Sequence, residues 1–309
     1  MKLRALECLC EIAACEFNLS RAAKRLHATQ PAITRQIQLL EQELGFPVLL
    51  RRGNKALGFT EAGQTVFARA RTIVNDTHEL GRLKDELLDN SHGKLVVATT
   101  QFHARYTLLP AIRKFRPAHP HVSFSILSVD PSTAAQLVLS GNADFGLSGE
   151  APDAAGQLLT YPCFEVRRLV IVPRGHPLIK VKRLTLKQIA RYPLIVYDAR
   201  QSGGRQVLNA FAAHGITPEI ALSASDADVI KSYVAAGVGI AIVQDLAYDK
   251  HKDDNIQALD PGSLFRPTPA FLMLRKNSFL RTFTREFITL LAPKLAIPGS
   301  DSTPRQVPR

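Results

Sequence analysis

The sequence predicts an α/β protein in three parts: a short all-helical segment ending in a basic turn, one long helix, and a larger two-lobed region of alternating strands and helices. Three observations carry this. Apolar residues recur at helical spacing through the first 60 residues. A seven-residue apolar repeat runs through residues 61–90. From Lys94 onward, short runs of apolar residues alternate with amphipathic stretches. The chain has 309 residues, 46% of them hydrophobic and 21% charged, enough for more than one core.

In the first segment Leu6, Leu9, Ile12 and Ala13 share a helical face. Ser20 is expected to cap a second short helix over Arg21–Leu26, with Ala22, Ala23 and Leu26 inward. His27-Ala28-Thr29 forms a turn, and Thr29 caps a third helix that tolerates Pro31 in its first turn. Ile33, Ile37, Leu40 and Leu44 make one apolar stripe, and Gly45 ends the helix. Gln30, Thr34, Arg35, Gln38 and Gln42 occupy the opposite face. Two short helices with a three-residue turn and such a face suit a major groove, where Gln reads adenine and Arg reads guanine. An amphipathic helical hairpin with a solvated polar face satisfies the same spacing. Arg51-Arg52-Gly53-Asn54-Lys55 is a basic turn placed where a wing meets phosphates.

The long helix opens at Thr60-Glu61-Ala62-Gly63, and Val66, Ile73, Leu80 and Leu87 recur every seven residues. That seam serves a dimer, or packs on its own domain.

Beyond Gly93 the expected strands are Leu95–Ala98, Val122–Ile126, Ala143–Leu147, Leu169–Val172, Leu194–Tyr197, Ile240–Val243 and Ala270–Leu274. The expected helices are Leu108–Phe115, Pro131–Leu139, Arg205–Ala213, Asp226–Ala236 and Phe279–Leu291. Residues 91–162 and 268–296 form one lobe, residues 163–267 the other. Residues 297–309, rich in Pro, Ser and charge, read as a disordered tail.

Charge is a poor guide. The net charge is +12, but residues 1–92 hold 13 Lys/Arg against 11 Asp/Glu, and residues 93–309 hold 26 against 16. The excess lies mainly outside the helical segment, where an anionic ligand or a solvated basic surface accounts for it equally.

Several classes are excluded. No run of 18 apolar residues offers a membrane span. Ile12-Ala13-Ala14-Cys15 behind a basic start looks like a lipoprotein box, but Glu7 and Glu11 occupy what would be its apolar core. The four cysteines, Cys8, Cys10, Cys15 and Cys163, lack a C-x-x-C pair and read as small hydrophobes in a reducing cytoplasm. Gly237-Val238-Gly239 follows a helix and precedes a strand, the reverse of a dinucleotide turn. No G-x-S-x-G elbow and no H-E-x-x-H appears, and His119-Pro120-His121 reads as a loop. The expectation is a protein with no catalytic residue, cofactor or metal.

Leu19-Ser20-Arg21-Ala22-Ala23-Lys24-Arg25-Leu26, then Thr29-Gln30-Pro31-Ala32-Ile33-Thr34-Arg35-Gln36-Ile37, then Leu40-Glu41 with Glu43-Leu44-Gly45, resemble the LysR-type transcriptional regulators. Phe59-Thr60 with Ala62-Gly63 and Ala236-Gly237-Val238-Gly239-Ile240 extend the likeness over nearly the whole chain. The resemblance implies a winged helix-turn-helix over 1–60, a linker and dimerisation helix over 61–90, and an effector domain over 91–296 resembling a periplasmic binding protein. It implies promoter DNA, RNA polymerase and further copies of the chain, as a dimer of dimers, as partners. DNA contacts fall to Ser20, Thr29, Gln30, Pro31, Thr34, Arg35 and Gln38, with Arg51 and Arg52 on the backbone.

Thr99-Thr100, Ala104-Arg105-Tyr106, Gly141-Asn142-Ala143-Asp144-Phe145, Tyr192-Pro193-Leu194 and Asp226-Ala227-Asp228-Val229-Ile230-Lys231 are similar to the CysB/Cbl branch, which governs sulfur assimilation. That likeness implies a cleft for a small anion: sulfate, an acetylserine or a sulfonate. Its residues here would be Thr99, Thr100, Gln101, Phe102, His103, Gly149, Ser202 and Asp226. The chain departs from the branch at Phe102 and His103, where the branch has anion-binding side chains, at Gly149 for a Thr, and at Ser202 for a Thr. Thr99, Thr100 and the Ser202-Gly203-Gly204 turn each precede a helix, where backbone N–H groups converge. The alternative reading is a solute-binding module whose N-terminal helices serve only dimerisation.

Overall fold

A computed structural model describes residues 1–53, 55–88, 91–152, 156, 158–198 and 202–295; side chains at 82, 84–88 and 202 are outside the described set. The chain forms two compact units, Met1–Asp89 and Asn90–Arg309.

The first unit begins with α1 (Leu3–Ala14), α2 (Leu19–Arg25) and α3 (Gln30–Leu44). Leu6, Leu9, Ile12, Ala22, Ile33, Ile37 and Leu40 are buried together, as the helical spacing requires. The Thr29 side chain accepts from the Ala32 N–H, and Gly45 closes α3 in the left-handed region at φ 78°. The cap of α2 differs from expectation. Asn18, not Ser20, accepts from the Arg21 N–H, so the helix starts two residues earlier, at Leu19. A two-stranded wing, β1 (Leu49–Arg52) and β2 (Lys55–Phe59), follows; Asn54 lies outside the described residues.

Thr60 then caps α4 (Glu61–Leu88). Its hydroxyl donates to the Pro47 carbonyl at 2.8 Å and accepts from the Gly63 N–H at 2.9 Å. A β-carbon on Gly63 would collide with the Val48 carbonyl, which is the physical reason for a glycine in this junction. Ala70 and Val74 bury against the helical core, while Ile73 and Leu80 on the seven-residue seam stay exposed. The Leu87 side chain is outside the described set.

The second unit holds two five-stranded sheets. β3 (Gly93–Thr99) leads into α5 (Gln101–His103), a π-helical stretch Ala104–Leu108 and α6 (Leu109–Phe115). β4 (Val122–Ser128), α7 (Pro131–Leu139), β5 (Phe145–Ser148) and β6 (Leu158–Val166) follow. β7 (Arg168–Pro173), α8 (Leu186–Ile189), β8 (Leu194–Tyr197), α9 (Ser202–Ala212), β9 (Ile220–Ala224), α10 (Ala227–Ala235), β10 (Ile240–Gln244) and β11 (Ile256–Leu259) make the other lobe. β12 (Thr268–Arg275) and α11 (Thr282–Leu291) return to the first.

The first sheet runs β4-β3-β5-β12-β6, the second β11-β7-β10-β8-β9. β3 is parallel to β4 and β5, and β8 is parallel to β9 and β10, with antiparallel strands beyond. Each sheet has buried apolar residues on both faces, so its strands read as continuous apolar runs. Two expectations need correction. β6 was not foreseen, because Pro162 interrupts its pattern; it pairs antiparallel with β12 through Val166. The lobe boundary therefore lies after Val166, not at residue 163. The tail 297–309 lies outside the described residues.

Candidate functional site

On the first unit, α3 presents Gln30, Arg35 and Gln38 exposed, with Thr34 half-buried. The Ser20 hydroxyl donates to Gln30 Oε1 at 2.7 Å, which ties the start of α3 to α2. The Thr34 hydroxyl donates back to the Gln30 carbonyl, so its bond is internal. Pro31, in the first turn, is exposed and needs no N–H partner there. The two wing arginines differ. Arg51 lies 3.6 Å from Glu41, whose other oxygen accepts the Val48 and Leu49 N–H groups. Arg52, on the other face of β1, is exposed.

In the second unit a cleft of about 560 Å³ opens between the sheets. Of the residues expected there, Thr100, Gln101, Phe102, His103, Gly149 and Asp226 line it. Thr99 does not. Its hydroxyl is fully buried and donates to the Leu147 carbonyl at 2.7 Å, so it fastens β3 to β5. The Ser202 side chain lies outside the described set, though its neighbour Gly203 lines the cleft.

Each lining residue has a local reason for its place. Asp226 accepts from the Asp228 and Val229 N–H groups and so caps α10. Its other oxygen accepts from Gln101 Nε2 at 2.8 Å, a bond from one lobe to the other. Phe102 packs against apolar clusters of both lobes, so it is a wedge between them as well as a cleft wall. His103 is 2% exposed; burial lowers its pKa to about 4, and Nδ1 lies 3.0 Å from the Thr107 hydroxyl. The ring is therefore favoured in its neutral form and brings no charge to an anion in the cleft.

Residues that sequence reasoning missed complete the cleft: Tyr106, Asp130, Glu150, Tyr197, Asp198 and Gln244. Asp130 caps α7, and the hydroxyls of Ser132 and Thr133 hold its carboxyl well below the usual range. Glu150 pairs with Arg205 on α9, a second bridge between lobes. Tyr197 and Gln244 end parallel strands β8 and β10, the edge where open α/β sheets take ligands. That rule, applied to the last residue of each predicted parallel strand, was the signal that could have found them.

The two units match two profiles separately. The LysR-family bacterial regulatory helix-turn-helix matches residues 3–64, and the LysR substrate binding domain matches residues 89–296. The chain belongs to the LysR family. A 278-residue stretch is 40% identical to the HTH-type transcriptional regulator SsuR of Burkholderia cenocepacia, covering 90% of each chain. The regulator CysB of the same organism is 36% identical, over 90% of this chain and 89% of its own. Among solved structures, the cofactor-binding domain of the Cbl transcriptional regulator superposes with a TM-score of 0.61 at 35% identity, over 66% of this chain and 90% of that one. Full-length OxyR of Pseudomonas aeruginosa, at 20% identity and a TM-score of 0.73 over 95% and 94% of the two chains, shares the fold.

This LysR-type protein is thus a DNA-binding transcriptional regulator with a small-molecule-binding domain. Its relatives are named as regulators and not as enzymes, and the helix-turn-helix match sets aside a solute-binding module that merely dimerises through its N-terminal helices. No helix among the described residues is long and apolar enough to cross a membrane.

Proposed function

We propose that this LysR-type regulator controls genes of sulfur metabolism in response to a small anion held between the lobes of its second unit. The likeness to SsuR, CysB and Cbl supports the sulfur assignment. The observation that carries the effector is the cleft itself. Thr100 and Gly203 line it from opposite lobes, each at the start of a helical segment, with Gln101–Asp226 bridging across.

On the DNA side, Gln30, Arg35 and Gln38 read base edges from the exposed face of α3, and Arg52 meets a phosphate. Ser20 acts through Gln30, holding its Oε1 so that the amide is presented in one orientation. Thr29 and Pro31 build the helix start rather than read bases. Arg51 reaches phosphate only by leaving Glu41. Ligand in the cleft changes the geometry between dimers, and with it promoter bending and the contact with RNA polymerase.

Two measurements test this. Purified protein retards its own promoter fragment, with affinity falling steeply as salt rises. The Arg35→Ala, Gln38→Ala double substitution should weaken specific binding at least tenfold, each lost base contact costing about 1–3 kcal/mol; unchanged retardation removes α3 as the reading element. Sulfate, thiosulfate, acetylserines and alkanesulfonates are then compared for stabilisation of the native state. Thr100→Val should diminish whatever response appears, and an undiminished response moves the site elsewhere.

A further inference from the structure

One cluster in the second lobe has no role in the fold that accounts for its cost. Arg168 is the first residue of β7 and sits directly across from Gln244, the last residue of β10. Tyr197 ends the neighbouring parallel strand β8. All three stand at the same edge of the sheet, beside the start of α9. A β-carbon on Gly203 would lie 3.3 Å from Gln244 Nε2, 3.8 Å from Arg168 Nη2 and 3.9 Å from Tyr197 Cδ2. The absence of that β-carbon leaves the helix start open to this cluster.

Arg168 is 7% exposed and Tyr197 is 4% exposed. The Arg168 Nη2 donates to Gln206 Oε1 at 2.9 Å, and Arg168 makes no ion pair among the described residues. Its Nη1, the Tyr197 hydroxyl and the Gln244 Oε1 are all buried without a hydrogen-bond partner. A buried guanidinium with one end unpaired, next to a buried unpaired hydroxyl, is a costly arrangement. Native proteins satisfy nearly all such groups, and those left open call for a specific cause.

We propose that this cluster is the anion-recognition end of the cleft: an organic monoanion enters at Gly203, Gln244 swings aside, and Arg168 Nη1 and the Tyr197 hydroxyl donate to its oxygens. The inference rests on the reading of the cleft as an anion site and adds the residues and the ligand class. Gln244 lines the cleft, is only half-buried and sits across from the enclosed Arg168, so it is the part that moves. The ligand brings acceptors to two orphan donors and a contacting countercharge to a buried cation that otherwise has only Asp245 at longer range. Asp130, Glu150, Asp198 and Asp226 line the same cleft. A second negative charge would face those carboxylates, which selects a monoanion over a dianion. The rings of Phe102 and Tyr106 give the organic part an apolar wall.

The test uses the full chain and thermal melting in sodium ethanesulfonate, propionate, sulfate or chloride at matched ionic strength. At least one of ethanesulfonate and propionate should raise the melting temperature of the wild type more than sulfate does, with chloride as the baseline. Arg168→Met should remove most of that shift, equivalent to at least a tenfold weaker affinity, and Tyr197→Phe should weaken it severalfold. Before any anion is added, Arg168→Met should melt no lower than wild type, because it removes a buried charge that no carboxylate contacts; a purely structural arginine would give the reverse pattern, a lower melting point with the anion response intact.

An undiminished response in Arg168→Met overturns the cluster while leaving the cleft reading in place. Failure of every anion to stabilise the wild type overturns both. A larger response to sulfate than to either organic monoanion overturns the ligand class. Should Arg168→Met fail to fold, Tyr197→Phe decides: an unchanged response overturns the assignment.

Discussion

His103 shows how burial sets chemistry at a single residue. Its ring is enclosed, and desolvation of the cation lowers its pKa from the ordinary 6.5 to about 4. The folded protein therefore favours the neutral ring. The associated stability is complete above the unfolded-state pKa and is lost as the pH falls from about 6.5 toward 4; a shift of that size is worth about 3 kcal/mol at most. Burial lowers the pKa of His176 as well, adding loss of the same sign. The low pKa of Asp130 matters only below the ordinary carboxylate range and is separable. Melting temperature measured between pH 7.5 and 4.5 should fall for the wild type, and His103→Gln should flatten part of that decline. An unchanged slope means the ring is not buried neutral. At this scale the sequence is informative for most local roles, though the cap of α2 is Asn18 and not the expected Ser20. Thr29 and Gly45 bound α3, and Asp226 caps α10, as their positions required. It was uninformative for Thr99 and Arg168, whose roles depend on which strand lies alongside.

At the scale of elements, α4 divides its apolar residues between two tasks. Val66, Phe67, Ala70 and Val74 pack on the helical core, and Ile73 and Leu80 face outward at 43% and 65% exposure. The seven-residue spacing alone leaves both readings open, and the helix uses both: Val66 at the start of the seam packs on the core, while Ile73 and Leu80 further along it stay uncovered. A seam of large apolar residues on an otherwise polar helix is what a second copy of the chain would bury. Leu80→Glu should therefore shift sedimentation toward monomer and weaken binding to a two-half-site promoter at least tenfold, because the two recognition helices no longer bind as one unit. Dimers that persist with wild-type promoter affinity would place the seam elsewhere. Strands with continuous apolar runs, such as Leu194–Tyr197, were legible in the sequence, and so was Pro131–Leu139. β6 escaped because its proline and partly exposed residues mimic a loop until β12 is set beside it.

For the molecule as a whole, the architecture follows from the order of patterns, but the cleft was legible only through the family resemblance, because it exists only where the two sheets of the second unit meet. A further joint helps hold that arrangement. Asp228, on α10, accepts from the Tyr106 hydroxyl at 2.7 Å and from Lys231 at 3.0 Å, while the Arg105 guanidinium sits against its second oxygen as an ion pair without hydrogen-bond alignment. Tyr106 and Arg105 belong to the π-helical stretch of the first lobe, so Asp228 joins the lobes beside the cleft that Gln101–Asp226 also bridges. π-Helical turns are common where a helix must present side chains out of ordinary register, and this one puts Tyr106 beside Phe102 of α5, both against the second lobe's apolar cluster. Replacing Asp228 with Ala leaves the half-buried Tyr106 hydroxyl without its acceptor and frees Arg105. The expected cost is about 1–3 kcal/mol, which for a unit of this size is a fall of several degrees in melting temperature. The loss should be concentrated in this joint: hydrogen exchange should accelerate over residues 101–108 and 227–235 while β3, β8 and β10 keep their protection. A uniform acceleration across both sheets would mean that Asp228 supports the fold at large, and an unchanged pattern would mean that Phe102 and the apolar contacts alone hold the lobes.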